Sequence, residues 1–167
     1  MQPTPKPTRD RIIQNAGPTS ETVREHAKRM RKSRGWSLAA VCERMTEAGR
    51  PFAISSLSEI ENGKRRVDVD DLIALAAALG VSPLWMLMPD ASAKDEPIAV
   101  TGVGAMDANR YWEWLRAENP LPGSRDHAEH TRFMLDNQPG FITGPYFAAL
   151  DLMMAELEAK RATDGNH

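Results

Sequence analysis

The feature that most constrains this chain is a series of apolar residues at three- and four-residue spacing from about Ser20 to Met88, interrupted by glycine at positions 35, 49, 63 and 80. That spacing marks one face of an α-helix, and glycine ends helices, so the stretch must form several short helices that share a core. Val23, Ala27, Met30 and Arg34 outline the first helix, from Ser20 to the stop at Gly35. Ser37 stands where an N-cap oxygen is needed, ahead of Leu38, Val41, Cys42 and Met45 in a second helix that ends near Gly49. After the turn Gly49-Arg50-Pro51, residues Ile54, Leu57 and Ile60 mark the inward face of a third helix closed by Asn62-Gly63. Asp68 is placed to cap a fourth, with Asp71 completing a capping box and Leu72, Leu75, Ala76 and Leu79 facing inward. Ser82-Pro83 starts a fifth, with proline at the first helical position, where its missing N–H costs nothing.

The third helix and its sequel, ISSLSEIENGKRR from Ile54 to Arg66, are unusual for a solvent-facing segment. With its apolar face turned inward, Ser55, Ser58, Glu59 and Asn62 lie on other faces, and three consecutive cations follow. Residues 1 to 89 hold 14 Lys and Arg against 10 Asp and Glu, whereas residues 90 to 167 hold 7 against 13. A basic half joined to an acidic half fits nucleic-acid binding by the first and a different partner for the second.

The runs GWSLAAVCERM, SSLSEIENGKRR and VDVDDLIALAAALGVSP together resemble the lambda-repressor-like (XRE/Cro) helix-turn-helix regulators over about residues 20 to 89, in a variant similar to actinobacterial members. The stretch between the second and third helices, TEAGRPFA in part, is roughly five residues longer than in compact phage repressors of the family. The resemblance implies an all-α, five-helix DNA-binding domain whose third helix, Ile54 to Glu61, enters the major groove while the second crosses the backbone. On that reading Ser55, Ser58, Glu59, Ile54 and Arg50 are the expected base contacts, with Glu59 able to accept from the exocyclic amine of cytosine. Ser37, Asn62, Lys64, Arg65 and Arg66 are the expected phosphate contacts. The resemblance also implies a structural ion pair between Arg31 and Glu61. Where many relatives place a polar residue after the cap, this chain has Leu38.

The organisation expected around this domain is a flexible arm over 1–19, a linker over 90–104 that ends in a brief extended piece, IAVTGVG, a small, mainly helical C-terminal region over 105–161 and a tail over 162–167. Within the C-terminal region, Tyr111, Trp114 and Leu115 read as a packing face. Ser124 is placed to cap a helix reaching Asn137, and a last helix from about Pro145 to Arg161 carries the seam Phe147, Leu150, Met154 and Leu157, suited to packing on another helix or on a second copy. His127 and His130 lack a third ligand at metal spacing, so no metal and no cofactor is expected.

A lone cysteine, no apolar run near the roughly 18 residues that span a bilayer and no signal-peptide core point to a soluble cytoplasmic protein. With no nucleophile motif or phosphate-binding loop in the chain, catalysis is not implied. The leading expectation is a sequence-specific regulator, a repressor on double-stranded operator DNA, with a homodimer through the C-terminal helices and no motif that identifies an effector. The alternative is an antitoxin or protein-interaction adaptor whose acidic, Trp-rich half binds a partner protein.

Overall fold

The computed structural model of the chain describes residues 16–121, 123 and 126–164. Contacts divide the chain after Trp112 into two compact units.

The first unit begins with α1 (Pro18–Ser33), which starts two residues ahead of the expected Ser20 because Pro18 fits the first helical position and Gly17 serves as N-cap. Glu21 in its first turn and Arg31 and Lys32 in its last complement the helix dipole. Then come α2 (Leu38–Glu47), α3 (Ile54–Glu61), α4 (Val69–Leu79) and α5 (Pro83–Leu87). Ser37 Oγ accepts from Ala40 N–H at 3.1 Å, Asp68 from Asp71 N–H at 2.7 Å and Ser82 from Leu84 N–H at 3.2 Å, so three of the helices start on the side-chain caps that the sequence displays. The reciprocal half expected of the capping box is replaced: the Asp71 side chain is directed at two arginines instead, as described below. Gly80 closes α4 in the left-handed conformation, φ 56°.

Val41, Met45, Leu57, Leu75, Leu79 and Met86 form the centre of the core, each less than 2 % exposed, with Val23 and Ala27 of α1 against them. α2 packs on α3 and α4, while α1 packs on α3, α4 and α5. Burying side chains of this size contributes about 1.5–3 kcal/mol each, which is why short helices of modest propensity hold together. Ile54 departs from expectation: it is 51 % exposed, and Leu57 and Ile60 alone seal the inner face of α3. As the first residue of the helix it has no preceding turn to carry it onto the core.

The stretch expected as a linker contains an antiparallel hairpin, β1 (Pro97–Val100) and β2 (Gly104–Asp107), in register from Pro97 opposite Asp107 to Val100 opposite Gly104. Ile98 and Val100 are buried and alternate with exposed Pro97 and Ala99, the period-two pattern of a strand with one covered face. Thr101 at the hairpin turn accepts from Thr19 N–H at 3.2 Å, and its own N–H donates to Thr19 Oγ1 at 3.1 Å. This pair closes the open start of α1, where Gly17 offers no side-chain cap; a Cβ at Gly17 would fall 2.2 Å from Thr101 Oγ1. Tyr111 of α6 (Ala108–Leu115) is 2 % exposed, and burial pushes its phenol pKa up against the opposing bond from Thr19. The first unit thus extends well past Pro89.

The second unit comprises the end of α6, α7 (His127–Asn137) and α8 (Gly140–Asp164). Ala117, in the left-handed region at φ 56°, follows α6, and its carbonyl accepts from Gln138 Nε2 at 3.3 Å. The cap of α7 is Asp126, accepting from Ala128 N–H at 2.9 Å; Ser124 lies outside the described residues. α8 starts at Gly140, five residues ahead of expectation, and carries Pro145 within it. Phe147 and Met154 of the expected seam are 45 % and 50 % exposed, and the side chains of Leu150 and Leu157 lie outside the described residues. Among the described residues no helix is long and apolar enough to cross a membrane, and no group of three His, Cys, Asp or Glu comes together as a metal set.

Candidate nucleic-acid interface

The site is built on α3. Leu57 and Ile60 fix one side of this eight-residue helix in the core, which leaves Ile54 and Ser55 exposed and Ser58 and Glu59 half-buried. None of the outward side chains in its first two turns is larger than isoleucine or glutamate, so its backbone can approach another surface closely.

Three contacts hold the end of α3. The Arg31 guanidinium, on α1, forks onto the Glu61 carboxylate, Nε to Oε1 at 2.6 Å and Nη2 to Oε2 at 2.7 Å, and its Nη1 donates to the Trp36 carbonyl at 2.9 Å. Both side chains are largely buried, 15 % and 6 % exposed, and the hydrogen bonds to Glu61 raise the Arg31 pKa despite its desolvation. One guanidinium therefore joins α1, the end of α3 and the residue before the cap of α2. Asn62 Nδ2 donates to the Ser58 carbonyl at 2.8 Å, a second bond to the oxygen that already accepts from the Asn62 N–H at 3.1 Å. Gly63, at φ 70°, then turns the chain sharply; a Cβ there would fall 2.4 Å from Arg24 Nη1, so glycine serves both the turn and the close approach of Arg24.

The cations that follow separate into two kinds. Lys64 and Arg66 are exposed. Arg65 is turned inward: its Nη2 donates to Asp71 Oδ2 at 3.0 Å and its guanidinium lies 4.8 Å over the Phe52 ring. Arg50 is engaged in the same way, with Nε and Nη2 donating to Asp71 Oδ1 at 3.1 and 2.9 Å and Nη2 also to Asp68 at 3.3 Å. The bond to Asp71 is the main reason its pKa lies above the ordinary arginine value. Sequence reading assigned Arg50 to bases and Arg65 to phosphates; in the fold both guanidiniums are held by Asp71, because a carboxylate with no exposure must be matched by charge.

At the other edge of the site, Ser37 is exposed at the start of α2, where its Oγ caps the Ala40 N–H. Trp36 beside it is half-buried between Arg34, 5.0 Å from the ring centroid, and Arg44, 4.0 Å away. The sequence reading did not assign this stack, nor Arg24, which lines a notch of about 200 Å³ with Ser20, Glu21, Arg65 and Arg66. The Trp36 stack had a signal in the sequence, an aromatic directly before a capping serine with arginines two positions before it and eight after it. His127 and His130 belong to the second unit.

An exposed polar helix, carried on a second helix with a capped start and followed by exposed cations, defines a helix-turn-helix DNA-binding module. A comparison with protein families agrees: the helix-turn-helix family model matches residues 28–86, and the chain carries a DNA-binding domain of the lambda-repressor-like (XRE) type. That family is a DNA-binding one and not a family of enzymes. No curated protein and no solved structure matches the chain.

Proposed function

We propose that the protein is a sequence-specific transcriptional repressor that acts by occupying an operator with α3 in the major groove. The observation that carries this reading is the division of α3 into a sealed face and an open one: Leu57 and Ile60 have essentially no exposure, while Ile54 and Ser55 stand free at the end that would lead into a groove. Ser55 and Ser58 suit either base type, Glu59 suits the cytosine amine, and Ile54 suits the thymine methyl group. Ser37 with the N–H groups that start α2, together with Asn62, Lys64 and Arg66, supplies phosphate contacts on both sides of the helix. This activity belongs in the compartment that holds the chromosome, the cytoplasm.

The operator-bound form is a homodimer. Phe141, Ile142, Phe147, Leu152, Met153 and Met154 of α8 are between 45 % and 81 % exposed, more apolar surface on one helix than the scattered single residues normal for a monomer. A second copy of the same helix would cover it, and the two DNA-binding domains would then meet a two-fold-related site.

Selection of bound duplexes from a randomised pool at physiological salt, beside a Lys64→Ala/Arg66→Ala control, tests the reading. One enriched palindromic motif for the wild type supports a dimeric operator-binding protein. Binding without any sequence preference, or none at all, would overturn it.

A further inference from the structure

Asp71 is the most demanding residue of the first unit. It has no exposed surface, and a buried carboxylate is tolerated only when hydrogen bonds and opposite charge replace the water it has lost. The fold supplies both from two places that are distant in sequence. Oδ1 accepts from Arg50, in the turn that leads into α3, and Oδ2 accepts from Arg65, in the turn that leaves it. Phe52, between Arg50 and α3, lies under the Arg65 guanidinium and links the two turns directly. The entry turn is anchored at its other side too, because Arg50 N–H donates to the Met45 carbonyl at the end of α2 at 2.9 Å.

We infer that Asp71, Arg50, Arg65 and Phe52 form a clamp that grips both ends of the recognition helix and sets its angle in the groove. They are positioning residues for specificity and do not touch DNA. The inference rests on the DNA-binding reading given above. It assigns a purpose to the extended connection TEAGRPFA: the longer turn brings Arg50 and Phe52 onto the Asp71 site, so that α3 is fixed from outside the core as well as from within it. A bidentate, stacked arginine is not replaceable by lysine, which carries the charge but neither the fork nor the planar face.

The test uses the full chain and measures two quantities on the selected operator and on an unrelated duplex: the ratio of the two affinities, and the slope of log affinity against log salt. If Arg65 held a phosphate, Arg65→Lys would leave both near wild type, and Arg65→Met would flatten the slope by about one while preserving the ratio. A clamp gives the opposite pattern. Arg65→Lys, Arg65→Met and the uncharged change Phe52→Leu should each lower the ratio tenfold or more, with slopes within half a unit of wild type. Asp71→Asn should do the same, and if it fails to fold, the Arg65 and Phe52 variants still decide the matter. Ratios unchanged in all variants that fold, or a flattened slope in Arg65→Met, would overturn the clamp while leaving operator binding intact. A wild type with no preferred duplex would overturn the DNA reading and the clamp with it.

Discussion

Replacing Arg31 by methionine removes the guanidinium that joins α1, the last residue of α3 and the approach to α2, while preserving an unbranched apolar stem. The loss is calculable in outline. Glu61, 6 % exposed, would be left in the fold without its bonds at 2.6 and 2.7 Å, and the Trp36 carbonyl would lose its donor. Removing one member of a buried pair costs about 3–5 kcal/mol. Arg31 is 15 % exposed, so water can partly resolvate the site and the lower end of that range applies, about 3 kcal/mol. Each kcal/mol moves the midpoint of a domain of this size by roughly 4–8 °C, so Arg31→Met should lower Tm by roughly 12–24 °C in a circular-dichroism melt. The double variant Arg31→Met/Glu61→Leu removes both charges together and should recover most of the loss, since a buried pair is often no more stabilising than well-packed apolar residues. A drop below about 1 kcal/mol for the single variant, the value of an exposed pair, would refute the reasoning. So would a double variant that is no more stable than the single one, because the cost would then not come from an orphaned charge.

Glu59→Ala should relax base preference at one or two operator positions without changing the salt slope, and an unaltered selected motif would count against a base contact. Lys64→Ala should weaken binding to all duplexes alike and flatten the slope by about one, so a change confined to one preferred base would contradict a phosphate role. Met154→Asp, on the exposed face of α8, should shift the chain to monomer in sedimentation equilibrium; a wild type that is already monomeric at tens of micromolar would remove the dimer. The hydrogen bond from Arg29, with the charge of its guanidinium, holds the Asp90 carboxyl below the usual carboxylate range against the desolvation that raises it. A carboxylate depressed in this way adds stability that is complete above its unfolded value of about 3.9 and is lost as pH falls through the folded one. With 66 % of the Asp90 side chain exposed, screening reduces the effect to a few tenths of a kcal/mol, so Asp90→Asn should only slightly reduce the loss of stability in acid-unfolding curves. A change above 1 kcal/mol would place Asp90 in a much drier setting than the fold gives it.

His26 illustrates why some of the core was not legible. On the sequence it is a polar residue beside the apolar face of the first helix. In the fold it is 3 % exposed, stacked on Trp85 at 4.4 Å, with Nδ1 3.1 Å from the Trp85 carbonyl and Nε2 3.4 Å from Asp90. Its partners lie 59 and 64 positions away, beyond any helical period. The extended piece IAVTGVG was legible, but its pairing into a hairpin was not: Ile98 and Val100 alternate for too few residues to mark a covered face, and their burial depends on the start of α1. The pairing of Arg31 with Glu61 was readable only through family resemblance, since no spacing rule joins positions 30 residues apart.

What the sequence determined by itself is local. Helix positions in the first unit follow from apolar periodicity, and their starts from Ser37, Asp68 and Ser82, because a cap or a turn is satisfied within about four residues by groups that the sequence displays in order. What only the tertiary structure decided is the allocation of charge. On the sequence Arg50 is expected at bases and Lys64, Arg65 and Arg66 at phosphates, and nothing local marks Arg50 and Arg65 as partners of one carboxylate. Packing α4 against α2 removes Asp71 from water, and a carboxylate without water draws the two guanidiniums within reach. That desolvation, which has no meaning until the helices meet, ties the Arg50 and Arg65 guanidiniums to Asp71 although 39 % and 34 % of their side chains stay exposed, while Lys64 and Arg66 are exposed residues.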